Sequence, residues 1–422
     1  MHKNQTIKTD LLVVGAGISG MSTALEAAET GFNVTLIEKN PFVGGRVAQL
    51  NQYFPKLCPP TCGLEVNIRR LRDNSKIKLY TLAEVVELTG EPGNYNIKVK
   101  VTPRYISKSA SDDDCEKAAK ECNVYVNNRF NFNLDKIKAI NIPYNNAYPQ
   151  KYLLSKDLCA QEDLKILAES FSNVVDLNQK EEFIEFEAKS VVWATGWEPY
   201  NAEKLETLGY GKYKGVITNM IMERLAAPNG PTQGKIKFDG ISEDIKKVAF
   251  VQCAGSRDEN HLEYCSSICC LASMKHSKYI REQYPNAEIY FFYIDIRTPG
   301  FFEDFYTDTK KDDKIHFLRG KVAKVFQQNG SNQLIVEAED TLKGTLNQVS
   351  VDLVVLATGM QPTTLNNFPK QELLDKNGFI RTDNPNTVIG CGVCTSPKDV
   401  ATVVQESTGA AMKAIHIIKR SK

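Results

Sequence analysis

The run Asp10-Leu-Leu-Val-Val14, followed at once by Gly15-Ala-Gly-Ile-Ser-Gly20, constrains this chain more than any other stretch of it. An apolar pentad of this kind reads as a short buried strand, and a helical pattern rich in small residues follows through Ala28. A second strand, Asn33 to Ile37, ends at Glu38, 18 residues beyond Gly20. Strand, glycine turn, helix, strand and acid together make a complete dinucleotide-binding unit. Gly15 permits the tight turn, Gly17 lets a pyrophosphate approach the backbone at the helix N-terminus, and Gly20 lets helix and strand pack closely. Glu38 is placed to bind ribose hydroxyls, with Ile18, Ser19 and Lys39 as flanking candidate contacts.

At 422 residues, 42% hydrophobic and 24% charged, the chain is expected to form two or three domains with their own cores. A formal net charge of +1 gives no global field that would mark a nucleic-acid or lipid-surface partner. No apolar run approaches the ~18 to 20 residues that span a bilayer. The stretch Met1 to Ile7 lacks the apolar core of a secretory signal. The expected location is cytoplasmic, with any membrane link made through partner subunits.

The residues after Glu38 point to FAD. Gly44-Gly45-Arg46, with Gln49 one turn on, resembles the two-dinucleotide-binding-domain flavoproteins, in which such a segment lines FAD. Ser190 to Gly196 and Asp352 to Gly359 are apolar strands ending in Ala-Thr-Gly. In that class such a segment marks the return of the chain to the FAD domain, which makes Ala194, Thr195, Gly196 and Gly359 candidate contacts. Thr387-Val-Ile-Gly390 reads as a strand whose loop precedes a last helix, about Asp399 to Ile418. Gly390, Cys391, Pro397, Lys398 and Asp399 are then candidates at the isoalloxazine ring, where a helix N-terminus would stabilise an anionic reduced flavin.

The second glycine fingerprint of a nicotinamide domain is missing. The strand Lys247-Val-Ala-Phe-Val-Gln252 runs into Cys253-Ala-Gly-Ser-Arg-Asp258, and Cys265-Ser-Ser-Ile-Cys-Cys270 opens a helix to about Gln283, followed by a strand at Glu288 to Ile294. Four of the eleven cysteines thus fall within 18 residues. Cys265 and Cys269 share a helix face, and a helix N-terminus favours thiolate. Four soft ligands suit an iron–sulfur cluster or zinc; the plainer alternative is four small residues packing helix on sheet. The expected organisation is an FAD-binding domain in three parts (1–102, 181–244 with the connection, and 346–422), an insertion at 103–180, and a nicotinamide-domain-like unit at 245–345 that carries the thiols.

The motifs Gly45-Arg-Val-Ala-Gln-Leu50, Phe54-Pro55, Val216-Ile-Thr-Asn219, Glu223-Arg-Leu225 and Gly230-Pro-Thr-Gln-Gly234 resemble the A subunit of heterodisulfide reductase. So do Gln252 to Asp258, Tyr264 to Cys270, Phe292 to Arg297 and Ser396-Pro-Lys-Asp399, and the similarity covers nearly the whole chain. The resemblance implies a thioredoxin-reductase-like α/β fold with two Rossmann-type three-layer domains, FAD, and a [4Fe–4S] cluster on Cys253, Cys265, Cys269 and Cys270. It also implies a catalytic Lys275 that hydrogen-bonds flavin N5 or stabilises a reduced anion, against the alternative of a solvated helix lysine. The insertion, with only Cys115 and Cys122 where two clusters would need eight ligands, is a degenerate ferredoxin-type segment. Phe132-Asn-Leu-Asp135 to Tyr152 resembles the branch of quinone-interacting membrane-bound oxidoreductase A subunits. That branch implies electron transfer between membrane quinone and adenylylsulfate reductase. Its implied partners are a second flavin and iron–sulfur subunit, together with a haem-containing membrane subunit. A soluble subunit of sulfur oxidation or electron bifurcation, and an NAD(P)H-dependent disulfide oxidoreductase, are the alternatives. Cys58 with Cys62, Cys159 and Cys394 carry no assigned ligand role.

Overall fold

The computed structural model describes residues 6–237, 244–327, 333–341, 343–382 and 388–421. The first sheet is built on β1 (Ile7–Val14), whose last four residues are buried on both faces, as a central parallel strand demands. It pairs in parallel with β2 (Val34–Glu38), which pairs with β3 (Ile77–Thr81), and on its other edge with β10 (Glu182–Trp193). The meander β4 (Ala83–Glu91) and β5 (Asn94–Val101) completes the order β3-β2-β1-β10-β5-β4, and β21 (Ile389–Gly390) joins β10 at Trp193. Thr387, expected to start that last strand, lies outside the described residues. Helix α1 (Ile18–Glu29) packs against α9 (Val400–Arg420) through Ala24, Ala28, Ala410 and Ala414, small side chains that let the two axes approach closely. Helix α2 (Thr61–Asp73) lies beside α1.

The second sheet runs β12 (Val216–Thr218), β19 (Leu353–Thr358), β13 (Lys247–Ala254), β14 (Glu288–Tyr293) and β15 (Ile315–Arg319), all parallel. Helices α5 (Asn219–Ala226), α6 (Cys269–Gln283) and α7 (Phe302–Lys310) cover one face, on Val248, Phe250, Ile289 and Phe291. The alternate residues Ala249, Val251, Phe292 and Val354 face an antiparallel sheet of β16 (Val322–Gln327), β17 (Leu334–Asp340) and β18 (Thr345–Val351). This is a Rossmann-type three-layer unit. It takes in more of the chain than the sequence suggests. The strand at 353–358 lies between β12 and β13, so it belongs to the second sheet, and β12 with α5 belongs there too. A Val/Leu run ending in Ala-Thr-Gly is buried equally well in either parallel sheet, and only its neighbours distinguish them. The crossing back is made by β20 (Met360–Pro362), paired with β11 (Trp197–Pro199), before the short helix α8 (Thr364–Asn367).

The insertion has its own small core. Helix α3 (Asp112–Glu121), started by a Ser111–Asp114 capping box, and α4 (Gln161–Ser170) close over the short ladders β6 (Tyr125–Asn127) with β7 (Lys136–Lys138) and β8 (Ile140–Asn141) with β9 (Leu153–Leu154). Cys115 and Cys122 are buried in that core beside Ile140, Leu164 and Leu167, and Cys159 packs on its edge.

The turn between β1 and α1 depends on two glycines. Gly15 has φ +100°, and a methyl group on Gly20 would collide with the carbonyl oxygen of Gly15. Gly20→Ala is therefore expected to cost about 1–3 kcal/mol by overpacking. The loss should appear as a lower melting temperature of the first domain in calorimetry.

Candidate functional site

A cavity of about 1830 Å³ lies beneath the glycine turn and reaches from the first sheet to helices α5 and α6 and the insertion. It exceeds the ~300–1,000 Å³ usual for a small-ligand site, as an extended dinucleotide with room beyond it requires. The turn supplies Gly15, Gly17, Ile18 and Ser19, the end of β2 supplies Glu38 and Lys39, and the next segment supplies Gly44, Gly45, Arg46 and Gln49. Ala194, Thr195 and Gly196 enter from the end of β10, and Lys398 and Asp399 from the start of α9.

Glu38 is buried; its Oε2 accepts from the Ala16 amide at 2.7 Å and its Oε1 from the backbone and side chain of Asn40, each at 2.8 Å. Burial pushes its carboxyl above the usual range, against the pull of those hydrogen bonds. A carboxylate has about four lone-pair sites, so these bonds orient it and leave capacity for ribose hydroxyls. The backbones of Gly17 and Gly44 form a bridge, and a Cβ on Gly17 would meet no atom closer than 3.9 Å. The cradle is thus open above the turn and fits a diphosphate.

Five expected FAD contacts lie off the cavity wall. Gly20 serves the packing of helix on strand instead. Gly359 ends β19, where an added Cβ would meet Ser256 and, at 2.8 Å, Ser266 Oγ, so it packs on the cysteine loop. Gly390 is held against Ile380 and Thr395. Cys391 is buried behind the turn, where Ser19 Oγ donates to its Sγ at 3.0 Å. Pro397 precedes the wall residue Lys398 without joining it. The N-terminus of α9 is also less free than its dipole suggests, because Asp399 Oδ1 accepts from the amides of Ala401 at 2.9 Å and Thr402 at 3.1 Å.

Lys275 lines the cavity and is not a solvated lysine: its side chain is 3% exposed. Its Nζ lies 2.6 Å from Glu223 Oε1 and donates to the Gln52 carbonyl at 2.7 Å. Nε2 of His276 meets the same carboxylate oxygen at 2.5 Å, and the Asn51 amide donates to Oε2 at 2.8 Å. Burial alone would raise the Glu223 carboxyl, but the Lys275 ammonium and the His276 ring hold it down at about 2. Burial keeps His276 below its ordinary value, hence neutral at pH 7. The next residue, Arg224, is fully buried and donates to Asn131 Oδ1 at 2.9 Å, to the Gln49 carbonyl at 3.1 Å and to Asn229. Sequence reading missed Glu223, Arg224 and His276 as site residues. The available signal was a pair of opposite charges inside the apolar helical run Met220-Ile-Met-Glu-Arg-Leu-Ala226.

Beside the cavity, the end of β13 carries Cys253, the loop after it Cys265, and the start of α6 Cys269 and Cys270. Cys253, Cys269 and Cys270 are buried and Cys265 half-buried, with a recess of about 630 Å³ over Cys265 between Arg257 and Arg297. Three residues of the loop that are not glycine have left-handed backbone, Cys253 at φ +56°, Arg257 at +57° and Ser267 at +61°. Such strain persists only where the surroundings impose it, and it gathers at functional sites. Burial raises the thiols of Cys253, Cys269 and Cys270, and the other cysteines add to the rise at each. The four sulfurs therefore share one electrostatic neighbourhood. Among the described residues no three His, Cys, Asp or Glu side chains close to metal-ligating distances. As a donor set, four thiols suit iron or zinc; the recess over Cys265 carries Asp258, Glu259 and Glu263 as well as Arg257 and Arg297, both paired with Asp295.

No helix among the described residues is long and apolar enough to cross a membrane. The NAD(P)-binding Rossmann-like domain family matches residues 13–71. Among solved structures, thioredoxin reductase from T. acidophilum superposes with a TM-score of 0.53 at 16% identity, covering 97% of this chain and 98% of that one. Thioredoxin reductase from Lactococcus lactis gives 0.54 at 13%, covering 98% and 99%. The fold is that of the two-dinucleotide-binding-domain flavoproteins. The second iron–sulfur A subunit of CoB–CoM heterodisulfide reductase from Methanopyrus kandleri is 35% identical over 428 residues, 97% of this chain and 65% of that protein. The A subunit of the ferredoxin/F420H2-dependent CoB–CoM heterodisulfide reductase from Methanosarcina acetivorans is 33% identical over 429 residues, 98% and 54%. The chain is similar to heterodisulfide reductase A subunits over nearly its whole length and spans between about half and two thirds of the length of these relatives.

Removing the Glu223 charge strands a buried ammonium, so Glu223→Gln should cost about 3–5 kcal/mol at pH 7. Because the folded-state carboxyl titrates near 2 rather than 4.5, its stabilisation is complete above about pH 4.5 and is lost as pH falls toward 2. Guanidinium unfolding at pH 7 and pH 3 should show wild type losing more stability over that interval than the variant.

Proposed function

We propose that this chain is the FAD and iron–sulfur electron-transfer subunit of a heterodisulfide-reductase-like complex. FAD would lie along the cavity from Glu38, at the ribose, past Gly15 and Gly17, at the diphosphate, to Arg46 and Lys275. Cys253, Cys265, Cys269 and Cys270 would hold a [4Fe–4S] cluster. The observation that carries this reading is the junction of β13 and α6. In a Rossmann-type unit that junction is where a glycine turn cradles phosphate, and here it is a strained loop with four cysteines. Cys253, Cys265, Cys269 and Cys270 would hold a cluster able to exchange single electrons with FAD bound in the adjoining cavity, in place of a nicotinamide. Bound FAD supplies the capacity to take up two electrons and release them singly. The chain's own residues bind it, exclude water, and hold a cation, Lys275, at the cavity wall with Glu223 and His276 fixing its position.

Within this reading the electrons would pass between a membrane quinone pool and adenylylsulfate reductase in dissimilatory sulfur metabolism. The partners would be a second flavin and iron–sulfur subunit, together with a haem-containing membrane subunit, and the chain would sit on the cytoplasmic face. The support is the likeness of 132–152 to that branch and a compact insertion in which Cys115 and Cys122 are core residues. A dithiol reductase is disfavoured by Cys391 and Cys394, the pair with Cys-x-x-Cys spacing. Both are buried, and burial pushes the Cys394 thiol up to about 12, far from a reactive thiolate.

Anaerobically reconstituted chain should contain one FAD and about four iron and four acid-labile sulfide per chain, with iron and sulfide lost and FAD kept in Cys269→Ser. Full FAD with no iron in wild type would overturn the cluster. Rapid flavin reduction by NADH would instead support the nicotinamide-dependent alternative.

A further inference from the structure

The insertion lines the cavity along several segments, and one of them is the turn Arg129–Asn133. Phe132 and Asn133 there are both left-handed, at φ +53° and +63°. Asn tolerates this region, but for Phe, with its bulk close to the backbone, it is an outlier that the surroundings must impose. The surroundings do so from several sides. Asn131 accepts from the buried Arg224 at 2.9 Å and donates to both carboxylate oxygens of Asp135 at 3.0 Å. Gln49 Nε2 donates to the Phe130 carbonyl at 2.8 Å, and the Phe130 ring stacks on Tyr144 at 4.4 Å. The product of these constraints is the direction of one side chain. Phe132 lines the cavity, packs against the second-domain core, and lies with its ring centroid 5.6 Å from the Arg46 guanidinium.

We propose that Phe132 is a positioning and shielding residue of the flavin site. Its ring walls the end of the cavity that holds Arg46 and Lys275 and keeps water and small oxidants from the reactive part of the bound flavin. The proposal rests on the FAD reading above. It gives the insertion a role that its cysteines do not have: one domain binds the flavin while the insertion and the second domain together close the site over its working end. Closing a redox site in this way limits the leak of electrons to solvent species.

The test uses the full chain loaded with FAD. Two quantities are read: the rate at which the reduced flavin is reoxidised by dioxygen, which takes two electrons and two protons to hydrogen peroxide, and the dissociation constant of sulfite, followed in the flavin absorbance. Phe132→Ala is expected to raise the first and lower the second by roughly tenfold each, with FAD retained and a lower melting temperature from the packing on the second-domain core that it gives up. Phe132→Tyr should restore both. Wild-type values in Phe132→Ala with FAD retained would overturn the proposal. Should Phe132→Ala lose FAD or fail to fold, Phe132→Leu decides by the same readings, a smaller shift of both supporting the wall and no shift overturning it. Failure of wild type to bind FAD is seen before any variant is made and takes down the flavin reading itself.

Discussion

The carboxylate of Glu223 joins three parts of the chain that share no covalent path shorter than tens of residues. From α5 it receives the Lys275 ammonium and the His276 ring of α6 on one oxygen and the amide of Asn51 on the other. A buried ion pair of this kind contributes little net stability over an apolar replacement, because desolvation offsets most of the attraction. Its consequence is geometric. With Arg224 holding the Gln49 carbonyl and the insertion's Asn131, the pair Glu223–Arg224 fixes the first domain, the insertion and the second domain around a single cavity. The hydrophobic cores make each unit stable; this charged seam sets where they stand relative to one another.

The cysteine loop illustrates how a fold is kept while its chemistry changes. Strand β13, helix α6 and strand β14 form a strand–helix–strand unit of the kind that opens a nucleotide site, and the sheet beneath is continuous. Where the turn would have to be glycine for a phosphate to approach, Cys253 takes the left-handed conformation instead and the register of β13 slips between Val251 and Ala254.

Much of this was legible in the chain itself. The first β–α–β unit, Glu38 at its end, the final helix from Asp399 and the thiol-bearing loop all carry local signals of spacing and composition, and the structure puts them where those signals lead. The assignment of 353–358 to its sheet was not legible, since parallel central strands all read as the same apolar run. Nor was the position of Gly359, Gly390 and Cys391 behind the cavity wall, which follows from the sheets those residues end. Lys275 was legible as a residue of interest, but its burial and its partners were not, because Glu223 lies 52 positions earlier in the chain.

Sequence by itself determined that an N-terminal segment would fold as a dinucleotide-binding turn, since Gly15, Gly17 and Gly20 satisfy steric demands that arise within a single β–α–β unit. It also placed four thiols at a strand end, in the loop after it and at the next helix start, because Cys253, Cys265, Cys269 and Cys270 are close in sequence. Only the tertiary structure decided which side chains face the cavity. Phe132, Glu223, Lys275 and His276 come from an insertion and two helices that meet through buried charge and aromatic contacts, and contacts between distant segments leave no periodicity or spacing in the sequence to read.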